Sequence, residues 1–139
     1  PRLRNLSVND SDYYAVVHGQ ITESGQVVAP IARCGDSIIK RCVSADGDYA
    51  ETHYEPVKVL SDRTLLRLNL ITGRTHQIRV HMAHIGHPLL GDSMYGGATD
   101  LIGRQALHCG NIEFVHPISE KKMYLTAEFP LDFSSLIAD

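Results

Sequence analysis

The chain has 139 residues, 43% hydrophobic and 21% charged, which suits one globular domain, is too short for two, and lies far from the compositions that stay disordered. Its net charge of −3 gives no global sign of a polyanion partner. No apolar run approaches the roughly 18–20 residues of a membrane helix and the N-terminal stretch lacks a signal core, so a cytoplasmic protein without membrane contact is expected.

Residues 1–12 show no sustained pattern and read as an irregular lead-in. Tyr13 to His18 is an aromatic and β-branched run closed by Gly19, and Val27 to Ile31, broken by Pro30, reads as an edge strand. The widely spaced Cys34, Cys42 and Cys109 build neither a disulfide framework nor a CxxC metal motif. Ser37 to Ser44 and Tyr49 to Leu60 flank Asp46-Gly47, which predicts a hairpin, with Pro56 marking a bulge or an edge in its second strand. From Thr64 to Ile71 the alternation sets Leu66, Leu68 and Leu70 on one face and Leu65, Arg67, Asn69 and Ile71 on the other, as in a core strand. Gly73 lets the chain turn into a helix over Thr75 to Ile85, whose buried stripe is Ile78, Met82 and Ile85, and Gly86 and Pro88 end it. Gln105 to His116 and Lys122 to Phe129 read as strands, the second with Met123, Leu125, Ala127 and Phe129 inward, and Leu131 to Ala138 as a short terminal helix. The sum is α+β: a mixed, mainly antiparallel sheet with a central helix packed on it.

Charge is unevenly placed. From Arg63 to Gly91 there is no Asp or Glu, yet the stretch carries Arg63, Arg67, Arg74 and Arg79 with His76, His81, His84 and His87. The helix start, beside Arg74 and His76, is a natural place for a phosphate or carboxylate. Arg79 follows Ile78 at the border of the buried stripe, so its guanidinium must find a carboxylate, a phosphate or a carbonyl, one of this chain's own acids included. Zinc is not expected, because His87 lies beyond the helix end and no Cys or carboxylate completes a tetrahedral set with His81 and His84. Neither a G-x-S-x-G nucleophile elbow nor a GxxxxGK phosphate loop is present.

The segments TGRTHQIRVHM (Thr72 to Met82), GHPLLGDSMYG (Gly86 to Gly96) and RQALH (Arg104 to His108) closely resemble the RluA-type pseudouridine synthases, which modify ribosomal and transfer RNA. YYAVVHG (Tyr13 to Gly19), Ala50-x-Thr52-x-Tyr54 and Phe114-x-His116-Pro117 fit the same pattern, so the resemblance covers nearly the whole chain. It implies the pseudouridine synthase fold and a cofactor-free, metal-free isomerisation in which an aspartate attacks, the glycosidic bond breaks, and the rotated base rejoins through carbon. By their places in these motifs, Tyr13 resembles the tyrosine that packs on the target base and assists removal of its C5 proton. Arg79 resembles the arginine paired with the catalytic aspartate, and Leu107 an apolar wall of the uracil pocket. Arg67, Arg74, His76 and Gln77 are the RNA-contact candidates.

The resemblance has one gap. The family's nucleophile lies in an H-R-L-D segment upstream of the tyrosine strand, and nothing from Pro1 to Asp12 matches it. Residues 13–139 are therefore expected to be the C-terminal portion of a catalytic domain whose N-terminal part is missing, inactive alone, with Arg79 anchoring a carboxylate from outside the chain. A noncatalytic RNA-binding relative is the alternative.

Overall fold

A computed structural model describes residues 11–115, 122–126 and 129–138. Six strands form one sheet in the order β2-β5-β6-β1-β7-β8: β1 (Ser11–His18), β2 (Gly25–Val28), β5 (Glu51–Val59), β6 (Arg63–Leu70), β7 (Leu107–Val115) and β8 (Lys122–Thr126). Every pairing in it is antiparallel. β3 (Ile31–Arg33) and β4 (Arg41–Val43) form a separate two-stranded sheet, and Ile31 also bridges Asp48. One eight-residue helix, α1 (Gln77–His84), and a short α2 (Leu131–Ser134) complete the regular elements among the described residues, with 3-10 turns at Ser93–Tyr95 and Ser135–Ile137. No helix among the described residues is long and apolar enough to cross a membrane.

The alternation in β6 divides the core. Leu66, Leu68 and Leu70 join Ala15 and Val17 of β1 and Ile78 and Met82 of α1 in one buried cluster, with Tyr13, Ile85 and Leu107 packed against it. Leu65 and Val16 point the other way, into a cluster with Leu90, Ile102, Phe133 and Leu136 that the C-terminal segment closes. Burying an aromatic such as Phe133, which is fully inaccessible, stabilises by about 1.5–3 kcal/mol. A smaller group, Ile31, Ala50 and Val80, fastens the β3–β4 hairpin to α1.

Two local expectations change and a third is met. The segment around Pro30 divides into β2 and β3, because a residue without an N–H cannot continue a ladder. The Asp46-Gly47 turn forms, with Gly47 N–H donating to Ser44 O, but its flanking strands do not pair with each other: β4 returns to β3 and β5 pairs with β2 and β6. Pro56 sits beside a register shift in β5, beyond the residues Glu51 to Tyr54 that pair with β2, so among the described residues it marks a bulge on a stretch held by β6 alone, a local edge. β7 and β8 pair as expected, while the side-chain directions in β8, His116-Pro117 and the lead-in 1–10 lie outside the described residues.

Candidate active site

The strand-to-helix junction after β6 is organised by a buried amide. Gln77 Oε1 accepts from Thr72 Oγ1 at 2.7 Å and from Arg74 N–H at 2.9 Å, and its Nε2 donates to Glu51 O and Thr52 Oγ1, both at 2.9 Å. The Thr52 hydroxyl then donates to His81 Nδ1 at 2.8 Å, and His81 Nε2–H donates to Ala29 O at 2.9 Å. Burial pushes the His81 pKa down, which keeps the ring neutral and this one-way chain of donors intact. Gln77, expected to contact RNA, is thus a structural residue, only 3% exposed and with its amide fully committed.

The turn itself falls on His76, not on Gly73. His76 caps α1 in the left-handed conformation (φ 58°, ψ 21°), an uncommon backbone for a residue with a side chain. The first helical amide, Gln77 N–H, is already taken by Arg74 O. The His76 ring is steadied from outside: the Tyr95 hydroxyl lies 2.8 Å from Nδ1, and the two rings meet edge to face at 5.7 Å. Burial, reinforced by the charges of Arg79 and Arg41, lowers the His76 pKa, which favours the neutral ring. The same Tyr95 oxygen accepts Arg41 N–H of β4 at 2.9 Å, which joins the hairpin to the site.

Arg79 leaves α1 toward the loop at Gly91-Asp92. Its Nε and Nη2 donate to the two carboxylate oxygens of Asp92, both at 2.9 Å, with side-chain exposures of 14% for the arginine and 1% for the aspartate. The guanidinium carbon lies 5.0 Å from the centre of the Tyr95 ring. The Asp92 bond raises the Arg79 pKa further above its already high value, and the charge is permanent. The expectation that this arginine anchors a carboxylate from outside the chain is corrected to this extent: two of its N–H donors are taken by an internal aspartate. Gly91 makes the pairing loop possible, since its φ of +78° suits glycine and a Cβ there would strike the Arg104 carbonyl.

Beside this ion pair opens a pocket of about 330 Å³. Tyr13 of β1, Leu70 of β6, Ile78 and Arg79 of α1, and Leu107 of β7 line it, with Arg74, His76, Gln77 and Gln105 at its border. Tyr13 and Leu107 project from the same sheet face because Ala15 opposes Leu107 and Tyr13 opposes Cys109 across β1 and β7, a two-residue step. Burial, with Cys109 nearby, pushes the Tyr13 pKa up, so its side chain is a neutral phenol. Among the described residues no carboxylate lines the pocket.

The structure therefore brings together Tyr13, Arg79 and Leu107, with Arg74 and His76 alongside. Arg67 is not among them. It opposes Tyr14 on the other sheet face, pairs with Glu55, and borders a separate hollow with His53 and Asn69. The residues that sequence reasoning left without a role are Asp92, Tyr95 and Gln105. The signal for the first two was the spacing Gly91-Asp92-x-x-Tyr95-Gly96, in which glycines bracket an aspartate and an aromatic residue; nothing local marked Gln105.

Comparison with known proteins identifies the class of domain to which this sheet, with its basic helix junction and buried arginine–aspartate pair, belongs. A family model described as RNA pseudouridylate synthase matches residues 3–84, and the chain belongs to that family. It is 51% identical over 126 residues to the uncharacterized RNA pseudouridine synthase YjbO of Bacillus subtilis, covering 90% of this chain and 44% of that protein. Against ribosomal large subunit pseudouridine synthase D of Zymomonas mobilis it is 41% identical over 135 residues, covering 89% and 43%. Among solved structures, human RNA pseudouridylate synthase domain containing 1 superposes with a TM-score of 0.73 at 23% identity, over 86% of this chain and 54% of that one, which establishes the same α+β pseudouridine synthase fold. The chain spans less than half the length of the curated relatives it matches.

Proposed function

We propose that this chain contributes the tyrosine and arginine side of an RNA pseudouridine synthase active site, and that its substrate is a uridine in ribosomal RNA, a reading supported by relatives named ribosomal large subunit pseudouridine synthase D. Such a substrate implies that the protein acts in the cytoplasm, with RNA as its partner and no cofactor. Residues 13–139 form the C-terminal portion of the catalytic domain in this reading, and the aspartate nucleophile comes from polypeptide outside them. In the reaction the C1′–N1 bond breaks, C1′ bonds to C5, and the C5 proton leaves while N1 gains one. Tyr13 and Leu107 would hold the extruded base between an aromatic and an apolar wall. Arg79 would keep the attacking carboxylate ionised and aimed, since it borders a pocket that no carboxylate of the described residues lines. Tyr13, a neutral phenol, would relay the C5 proton by hydrogen bonding and not as a free phenolate.

The observation that carries this reading is the convergence of Tyr13, Leu107 and Arg79 on one pocket, with Arg79 fixed from behind by Asp92. Asp92 cannot itself be the nucleophile, since both its oxygens face the guanidinium and it is buried. The test is tritium release from ribosomal RNA labelled at uridine C5, measured on the complete protein carrying this chain. Arg79→Ala and Tyr13→Phe are each expected to lower turnover by about 100-fold or more with the fold retained. Unchanged turnover in both variants refutes the assignment.

A further inference from the structure

The β3–β4 hairpin stands outside the main sheet and carries a feature that costs stability. Arg33 and Arg41 are direct cross-strand partners, so two guanidiniums leave neighbouring positions on the same face. Like charges so placed destabilise a strand pair. It is the face that Ile31 and Val43 share, with Ile31 packed against Val80 of α1, so the arginines project alongside the start of the helix. There they line a hollow of about 410 Å³ together with Asp48, Gly73, Arg74 and Thr75. Arg74 also borders the active-site pocket, so the two hollows share that residue.

Two of the three guanidiniums are held in position without being neutralised. Arg41 Nη1 donates to Ile39 O at 2.8 Å and Ile38 O at 3.3 Å, and Arg74 Nε donates to Tyr49 O at 2.7 Å. A carbonyl orients a guanidinium but leaves its charge uncompensated. Among the described residues no ion pair joins Arg33, Arg41 or Arg74 to a carboxylate, whereas Arg63, Arg67, Arg79 and Arg104 each have one. Among the described residues Asp48 is the one acid lining the hollow, against three positive charges, two of them held in position.

We propose that this hairpin is an RNA-backbone arm, in which Arg33 and Arg41 together grip one phosphodiester and Arg74 a second, leading the strand into the pocket beside Tyr13. The proposal rests on the reading of the chain as part of an RNA-modifying enzyme and adds to it where the flanking phosphates lie. Tyr95 gives the arm a fixed position, because its hydroxyl bonds the Arg41 amide on one side and His76 on the other.

The experiment measures binding of a single-stranded oligouridylate to the complete protein over a range of salt concentrations. Every phosphate that the protein neutralises on a single strand contributes about 0.7 to the steepness of log affinity against log salt. The Arg33→Gln, Arg41→Gln double variant is expected to lower the slope by about 0.7 for one shared phosphate, and adding Arg74→Gln by about 1.4 in all. Arg67→Gln, on the other sheet face and already paired with Glu55, is expected to leave the slope unchanged. A wild-type slope in the triple variant, or an equal drop with Arg67→Gln alone, overturns the arm. Failure of the wild-type protein to release tritium would instead count against the synthase reading, and the slopes would still decide the arm.

Discussion

Replacing Asp92 by Asn removes the buried counter-charge of Arg79 while keeping size and shape. The amide retains one acceptor, but its NH2 now faces a guanidinium N–H, donor against donor, where two bonds of 2.9 Å stood. Removing one partner of a buried pair costs about 3–5 kcal/mol. Here the lower end applies, since Arg79 keeps an edge on the pocket and its contact with the Tyr95 ring. A loss of about 3 kcal/mol corresponds to a fall in Tm of about 10 °C for a chain of this size. Urea unfolding with an unchanged m-value measures it, and a cycle with Arg79→Met tests its origin: the double variant should lose about 2 kcal/mol less than the sum of the singles. In the complete enzyme Asp92→Asn is expected to lower kcat more than it raises KM, because it loosens a positioning contact and not an RNA contact. A destabilisation under about 1 kcal/mol, or strict additivity in the cycle, would refute the account of Asp92 as the fixed support of Arg79.

Gln77→Ala strands the partners of a buried amide and should cost about 2–3 kcal/mol by urea unfolding, far more than removal of a surface RNA contact. Gly91→Ala forces a Cβ onto the Arg104 carbonyl at a positive φ and should lower Tm by about 10 °C or more, through the loop that presents Asp92. His76 and His81 both have folded pKa values below the ordinary 6.5, so the unfolded chain binds their protons first. Stability should therefore be whole above about pH 6.5 and fall as the pH drops through that value toward the lower folded pKa values. Chemical denaturation at about pH 5, 6 and 7 checks it, and a flat profile would contradict the neutral, buried state assigned to His81.

How much of this was readable in advance follows from the range of the interactions. Alternation in β6 and the stripe of Ile78 and Met82 depend on neighbours along the chain, and both appear in the structure, the helix trimmed to Gln77–His84. The same alternation already set Arg67 opposite Leu66 and Leu68, so its distance from the pocket was implicit in the period of a strand. The Asp46-Gly47 turn was legible for its local geometry, but turn chemistry does not say which strands pair afterwards, and β4 and β5 found other partners. Gln77 looked polar and accessible in sequence. Only the arrival of Glu51 and Thr52, about 25 residues away, makes it a buried connector. Arg79 was marked as a residue in need of an anion, but its partner comes from a loop whose shape depends on positive φ at Gly91 and on Gly97, where a Cβ would strike the Leu89 carbonyl. Tyr13 and Leu107 stood out through motif resemblance, since a half-buried tyrosine and a leucine beside a sheet are otherwise ordinary packing.

The bidentate grip of Asp92 has a chemical consequence for any second acid that approaches Arg79. A guanidinium already balanced by one formal negative charge offers a newcomer direction as well as a tempered attraction: it presents N–H vectors at a set angle, and hydrogen bonds from them still favour the ionised acid. An acid seated there would be held in line for attack without being bound so tightly that its electrons are unavailable, which is the compromise a nucleophile requires.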